Sequence, residues 1–121
     1  MKFEAQGEHV AFVSTRIAGT DGVSLEIAKW ARVLERMGLE CHYITGESDR
    51  PAERTALIPE AHFTHPEVMS IGERAFGAEA RDAQLTNDIM DVTLRIRDQL
   101  NAAIREHEIV AIIAENALTI P

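Results

Sequence analysis

Residues 9–46, HVAFVSTRIAGTDGVSLEIAKWARVLERMGLECHYITG, decide the fold of this chain. The first part, His9–Thr15, is apolar and β-branched, and it predicts a strand that stops at a loop containing two glycines. Apolar residues then recur every three or four positions between Ser24, the predicted N-cap, and Met37, which predicts a helix. A second predicted strand follows at 40–46. Because a helix joins the two strands, the stretch is a βαβ unit, in which both strands run in parallel.

The second half of the chain adds another helix and another strand. Apolar residues at helical spacing predict a helix over about 81–103, which leads into 109–114, an apolar run typical of a parallel strand covered on both faces. Residues 47–80 contain three prolines and no sustained period, and they predict a long functional loop or an edge strand. We therefore expect an α/β fold, Rossmann-like and three-layered, with parallel strands at 9–15, 40–45 and 109–114.

The length of the chain limits it to one domain at most, because 121 residues bury roughly two thirds of the surface that the unfolded form exposes. A buried parallel strand is normally followed by a crossover helix that covers its second face. Residues 115–121 instead form a short apolar tail that ends in proline. We therefore expect residues 1–121 to be a partial Rossmann-like domain that belongs to a longer one.

The chain is acidic: 20 acidic and 12 basic residues give a formal net charge of -8. This balance disfavours non-specific binding to nucleic acid or to anionic membranes, because both need clustered lysine and arginine. No apolar run approaches the roughly 20 residues that a bilayer span needs, and the first residues lack the features of a signal peptide. The only cysteine, Cys41, has no internal disulfide partner. Together these features predict a cytoplasmic protein without a transmembrane segment.

The loop after the first strand is the first candidate for a binding site. It lies at the carboxyl end of a parallel strand and opens a helix, which is where α/β sheets bind ligands and where helix amides meet anions. Its glycines give only G-x-x-G, without the dinucleotide fingerprint or the Walker pattern. Flexible backbone and short polar side chains suit a phosphate or a polyhydroxylated ligand; the alternative is a turn in which the glycines serve geometry alone. The candidate residues are Arg16, Gly19, Thr20, Asp21, Gly22 and Val23.

Two polar residues, Glu115 and Asn116, follow the last predicted strand. The carboxyl ends of parallel strands share one edge of a sheet, so we expect this pair to form the second half of the candidate substrate site. The alternative is a pair of strand-end polar residues that only turns the chain.

Other chemical motifs are incomplete. Residues 22–26 begin like the nucleophile elbow G-x-S-x-G but have Glu26 at the place of the last glycine, which argues against a hydrolase. His62 and His65 are spaced for a metal, but no matching third ligand lies nearby, so we expect no metal site and no cofactor. The remaining histidines stand singly at the ends of predicted elements, where capping or solvated roles suffice. They are His9, His42 and His107.

The stretch VAFVSTRIAGTDGVSLEIAKWARVLERMGLECHYITGE, residues 10–47, resembles the opening βαβ unit of retaining GT-B glycosyltransferases of family 4, also called group 1. In that family a Gly-Gly-Val or similar element precedes the helix, and a Gly-His-Glu-Val-like turn precedes the second strand. The matching residues here are 21–23, Asp-Gly-Val, and 38–41, Gly-Leu-Glu-Cys. The later stretch AENALTIP, residues 114–121, is similar to a segment at the end of a central strand in the N-terminal domain of the same family.

The resemblance implies a two-domain enzyme that transfers a sugar from a nucleotide-sugar donor to a sugar or small-molecule acceptor. The N-terminal domain mainly holds the acceptor, and by position Asp21, Gly22 and Val23 place backbone N–H groups toward the leaving diphosphate. Arg16 departs from the pattern, and its guanidinium would suit a phosphate or carboxylate of the acceptor. The donor-binding residues of the family lie in its C-terminal domain and match nothing here, so we expect this chain to be inactive alone.

Two other classes of protein compete with the transferase. One is a small Rossmann-like or flavodoxin-like module, complete at this length, that binds a nucleotide or a protein partner. The other is a structural fragment that self-associates. A complete module would be monomeric, whereas a truncated domain would expose the strand at 109–114 and self-associate through it.

Overall fold

The computed structural model describes residues 7–77 and 80–115. Within these residues the sheet has four strands, in the order β3-β2-β1-β4, and every neighbouring pair is parallel. The strands are β1 (His9–Ser14), β2 (Glu40–Thr45), β3 (Thr55–Leu57) and β4 (Ile109–Ala114). The predicted α/β fold with a parallel sheet is therefore confirmed, and the middle region supplies a short edge strand.

The described part of the chain contains three helices: α1 (Gly22–Arg36) and α3 (Ala83–Glu106), which pack on the sheet, and α2 (Pro66–Phe76), which packs on α3. Two short 3-10 turns, Ala52–Arg54 and Pro59–Ala61, flank β3. None of the helices in the described residues combines the length and the apolar character needed to span a bilayer.

The two faces of the sheet carry separate apolar cores, which gives three layers. On one face Phe12 of β1 is fully buried with Ile27 of α1. On the other face Ala11 of β1 packs with Ile44 of β2 and Ala103 of α3. Successive residues of a strand point to opposite faces, so the neighbours Ala11 and Phe12 serve the two cores.

The start of α1 differs from the prediction, because its N-cap is Asp21 and not Ser24. The Asp21 carboxylate accepts a hydrogen bond of 2.9 Å from the backbone N–H of Ser24. Ser24 lies inside the first turn and is fully buried. The end agrees with the prediction: Met37 is the C-cap, and Gly38 follows with a φ of 91°, the left-handed conformation that favours glycine there.

The helix α2 lies in the segment that was predicted as a loop or an edge strand. Pro66 occupies the first helical turn, where a backbone N–H has no acceptor within the helix. The lack of an N–H therefore costs nothing there, and the proline begins the helix instead of breaking it. The preceding His65 is the N-cap, and its ring accepts a hydrogen bond from the N–H of Glu67.

The strand at 109–114 is not covered on both faces within the described residues, although its apolar run is typical of a strand that is. The strand β4 pairs with β1 on one side and ends the strand order, and Val110 is 62% exposed and Ile112 43% exposed. An apolar composition indicates that a strand can be buried, but it does not specify the strand's position in the sheet.

Candidate functional site

The loops after β1 and β2 lie side by side at the carboxyl edge of the sheet. We call residues 15–23, which include the first two residues of α1, the first loop, and residues 46–51 the second loop. Ile17 and Ser48 form a parallel bridge beyond the strands. The N–H of Ile17 donates to the carbonyl of Glu47 at 2.8 Å, and the N–H of Asp49 donates to the carbonyl of Ile17 at 3.2 Å. Backbone hydrogen bonds therefore continue the sheet pairing into both loops.

The Ser24 hydroxyl closes the first loop from inside. The backbone N–H of Ala18 donates to the Ser24 Oγ at 3.0 Å, and this Oγ lies 3.1 Å from the carbonyl oxygen of Ala18 and 2.8 Å from Oδ2 of Asp21. Hydrogen bonds from the backbone and side chain of Ser24, together with the charge of Arg16, lower the pKa of Asp21. Asp21 is therefore an anion at neutral pH. Its carboxylate caps α1 and pairs with Arg16 within the loop.

Arg16 connects the two loops. Its guanidinium pairs with Asp21 of the first loop, and its Nε lies 3.0 Å from Oε2 of Glu47 in the second loop. A Cβ added at Gly19 would lie 3.1 Å from Nη2 of Arg16, so the guanidinium packs directly against the Gly19 turn. Arg16 is thus held in ion pairs within the chain, and an anionic ligand would have to compete with two carboxylates for it.

The second loop contributes residues that the sequence analysis did not single out. Oε2 of Glu47 lies 2.9 Å from Nε2 of His62. The other ring nitrogen of His62 accepts from the backbone N–H of Thr64 at 3.1 Å, so Nε2 carries the hydrogen and donates to Glu47. The backbone at Gly46 leaves no room for a side chain, because a Cβ there would lie 2.5 Å from the backbone nitrogen of His62.

Asp49 and Arg50 fix the outer part of the first loop. Gly19 has a φ of 76°, a left-handed conformation that suits glycine, and its N–H donates to Oδ2 of Asp49 at 2.8 Å. Nη2 of Arg50 donates to the carbonyl of Ser24 at 3.0 Å. The sequence signal for these residues was the polar run 47–50 at the end of the second predicted strand, on the same edge as the first loop.

The exposed part of the site is the start of α1. Thr20, Asp21 and Gly22 are exposed, and Val23 is half-buried against the core of the α1 face. A Cβ built at Gly22 would point into open space. Apart from the two neighbouring residues and the backbone of α1 itself, no atom of the described residues lies within 4 Å of it. The first amides of a helix have no acceptor within the helix, so this end of α1 offers N–H groups to an open space.

Glu115 lies at the same edge of the sheet as the first loop. Its N–H donates to the carbonyl of Val13 at 2.9 Å, which continues the pairing of β4 with β1. Its predicted partner, Asn116, lies outside the described residues.

The two histidines spaced for a metal have other contacts. His62 contacts Glu47, and His65 caps α2. Within residues 7–77 and 80–115, no group of three or more histidine, cysteine, aspartate or glutamate side chains is arranged to hold a metal ion.

Comparison with known proteins gives one informative relative. The chain is 26% identical over 105 residues to mannosylglucosylglycerate synthase of Thermotoga maritima. The chain is related to a glycosyltransferase. The alignment covers 84% of this chain but 24% of that enzyme, so the chain spans about a quarter of the length of the relative. This similarity supports the glycosyltransferase relationship expected from the sequence, whereas the GT-B type and family 4 stay predictions. Neither a family model nor a solved structure matches the chain.

Proposed function

We propose that the chain is the N-terminal, acceptor-side part of a GT-B glycosyltransferase of family 4, with the first loop facing the diphosphate of a nucleotide-sugar donor. The observation that carries the proposal is the open amino end of α1, where Gly22 leaves free space at the carboxyl edge of a parallel sheet. The similarity to mannosylglucosylglycerate synthase supports the reaction class. The donor and acceptor would be held by the complete protein, and no cofactor is required by the proposal.

The proposed role of the first loop is electrostatic. In sugar transfer the bond between the anomeric carbon and a diphosphate oxygen breaks, and the acceptor oxygen bonds to that carbon and gives up its proton to water. Negative charge then remains on the nucleoside diphosphate. The N–H groups of Gly22 and Val23, with the positive end of the α1 dipole, would stabilise this charge as it develops.

The network beneath the loop supports this role because it holds the amides in place before a ligand arrives. Asp21 would repel a diphosphate, and its ion pair with Arg16 together with the hydrogen bonds from Ser24 reduces this repulsion. Glu47 holds Arg16 from the second loop. The loop can therefore present N–H donors without a large rearrangement on binding.

The acceptor is proposed to lie between the first loop and the end of β4. The Thr20 hydroxyl and the Glu115 carboxylate can both bind hydroxyl groups, and Glu115 is joined to β1 by its backbone hydrogen bond. We include Asn116 in this half of the proposed site because it follows Glu115 in the sequence. The buried free Cys41 supports a cytoplasmic location for the reaction.

The test is Gly22→Val in the native protein that contains this chain. The change adds a side chain into open space, so we expect the thermal unfolding midpoint to stay within a few degrees of the unchanged protein. We expect the rate of nucleoside diphosphate release, assayed over UDP- and GDP-sugars, to fall about 100-fold or more, because the added methyl groups keep the diphosphate from the amides.

Gly72→Val is the matched control. Gly72 lies in α2, and a Cβ built there would also point into open space, away from the proposed site. It should leave the release rate unchanged. A Gly22→Val protein with full activity would remove the first loop from the site. If the unchanged protein releases no nucleotide with any donor, while the 121-residue chain alone binds UDP or GDP, the nucleotide-binding module becomes the better interpretation.

A further inference from the structure

Three histidines that are far apart in the sequence meet at the amino edge of the sheet, opposite the first loop. Nδ1 of His9 on β1 lies 2.7 Å from Nε2 of His42 on β2. The ring of His107, the C-cap residue of α3, has its centroid 4.9 Å from that of His42. We call these residues the histidine cluster. Their expected separate roles as capping or solvated residues are wrong for His42, which is only 5% exposed.

The hydrogen bonds of the cluster form a chain in which His42 donates to His9 and His9 donates to Glu40. Oε2 of Glu40 lies 3.0 Å from Nε2 of His9, and an ionised carboxylate can only accept, so this nitrogen of His9 carries the hydrogen. In neutral His9 the other nitrogen, Nδ1, is then an acceptor, and Nε2 of His42 donates to it. Neutral His42 therefore has a bare lone pair on Nδ1.

That nitrogen of His42 is buried, and no donor or acceptor among the described residues reaches it. The titratable and charged groups around the ring are His9 of β1, Glu40 of β2, Arg54 of the first 3-10 turn and His107 of α3. Burial, followed by the neighbouring His107 and His9, lowers the pKa of His42 to about 4.

We propose that the histidine cluster is an acid-sensitive latch, which holds the end of α3 and the start of β4 against β1 and β2 near neutral pH and releases them when His42 takes up a proton. A proton on Nδ1 of His42 would create a buried N–H without an acceptor in the described residues, and a cation beside two imidazoles and Arg54.

The turn between α3 and β4 is the part that can move at the lowest cost. Glu108 in this turn has a φ of 53°, a left-handed conformation that a non-glycine residue adopts at some cost. β4 is paired on only one side among the described strands, whereas β1 and β2 are each paired on both sides. Release of His107 from His42 would therefore open this turn first.

The sign of the pH dependence follows from proton uptake. In the open state His42 takes up a proton near the ordinary histidine pKa of 6.5, and in the closed state near 4. The stabilisation is complete above pH 6.5 and is lost as the pH falls toward 4, because the open state binds more protons in that range. Opening should therefore be more populated at pH 5 than at pH 7 by up to about 20-fold, the value for complete solvation of the His42 ring in the open state.

The experiment is hydrogen exchange of the native protein that contains this chain, at several pH values and corrected for intrinsic exchange rates. The amides of His107 and Glu108, which donate to the carbonyls of Ala103 and Arg105, report opening of the turn. Their protection should fall between pH 7 and pH 5 by several-fold, and by at most about 20-fold. Amides in the β1–β2 pairing should change much less. Equal loss at all amides would overturn the latch, because it would mean general acid unfolding.

His42→Phe, which keeps an aromatic ring but cannot be protonated, should remove the selective loss at residues 107 and 108. His65→Asn is the control, since asparagine can still cap α2 and His65 lies outside the cluster. The same pH dependence in His42→Phe as in the unchanged chain would overturn the proposal. If this variant does not fold, nitrogen NMR of the unchanged chain decides: a His42 ring that titrates near pH 6.5 rules the latch out, and one that stays neutral to below pH 5 supports it.

Discussion

The Ser24 hydroxyl is the residue-scale feature on which the first loop depends. It is fully buried, accepts from the N–H of Ala18 and lies within hydrogen-bond distance of Asp21 and of the Ala18 carbonyl. A buried hydroxyl with several partners stabilises a loop mainly because removing it leaves those partners unsatisfied. The Ser24 hydroxyl adds to the backbone N–H of Ser24 in holding Asp21, which in turn pairs with Arg16.

Ser24→Ala should therefore lower the free energy of unfolding of the chain by about 1–3 kcal/mol, measured by urea unfolding at pH 7. Most of the loss comes from the buried Ala18 N–H, which loses its acceptor, and the Asp21 carboxylate loses one of its hydrogen bonds. Ser70→Ala in α2 is the control, because Ser70 is exposed, and it should change the free energy of unfolding by less than about 0.5 kcal/mol. Equal effects of the two changes would show that the hydroxyl does not hold the loop.

At this scale the sequence predicted only the half of the site that is contiguous in the chain. Both Asp21 and Ser24 are good N-cap residues, and the choice of Asp21 depends on the burial of the Ser24 hydroxyl within the folded loop. Glu47 and Asp49 were missed because their partners, Arg16 and Gly19, are some 30 positions away in the chain. Such pairs follow from the register of β1 on β2, which the sequence does not specify.

At the scale of elements, the long periodic segments were predictable and the proline-rich one was not. The strands β1, β2 and β4 and the helices α1 and α3 lie close to their predicted bounds, because each has a clear period or an unbroken apolar run. α2 was missed because proline was treated as a helix breaker, whereas Pro66 stands where a helix can begin. The position of β4 at the sheet edge depends on strand order, which is a property of the fold.

Among the described strands β4 has a neighbour on one side only, which supports the proposal that the chain self-associates through 109–114. An edge strand has unpaired backbone groups that can pair with a second copy, and β4 exposes apolar side chains beside them. We expect the chain to form dimers or larger oligomers at tens of micromolar, measured by sedimentation velocity. Val110→Lys should give a monomer, because a charge on an edge strand disfavours pairing.

Val110 is 62% exposed, so the lysine should change the free energy of unfolding by only about 0.5 kcal/mol. Met90→Lys on α3 is the matched control, since Met90 is 54% exposed and lies outside the sheet. It should leave the oligomers intact. A monomer formed by the unchanged chain at these concentrations would contradict self-association through β4.

At the scale of the whole molecule, the two ends of the sheet have different proposed roles. The carboxyl edge carries the first loop, the second loop and Glu115, all joined by backbone hydrogen bonds to β1 or to its extension. The amino edge carries the histidine cluster. β1 extends from the histidine cluster to the first loop, so the effect of protonating the cluster can be measured at the first loop. Acid release of the α3–β4 turn should leave the Arg16–Glu47 pair intact, because β1 and β2 stay paired between them.

The mass of the native protein tests the proposal at this same scale. If the chain is the acceptor-side part of a transferase, the protein should contain a second domain, and two domains of roughly 150–200 residues each give a mass several times 13.4 kDa. The alignment covers 24% of mannosylglucosylglycerate synthase, which also supports a native protein longer than this chain. An immunoblot of the source cell with an antibody against this chain, with the purified chain as size marker, should show that heavier band. A band at 13.4 kDa would contradict the transferase proposal, because no second domain would be present to close over the first loop, and nucleotide binding by the chain itself would then be the function to measure.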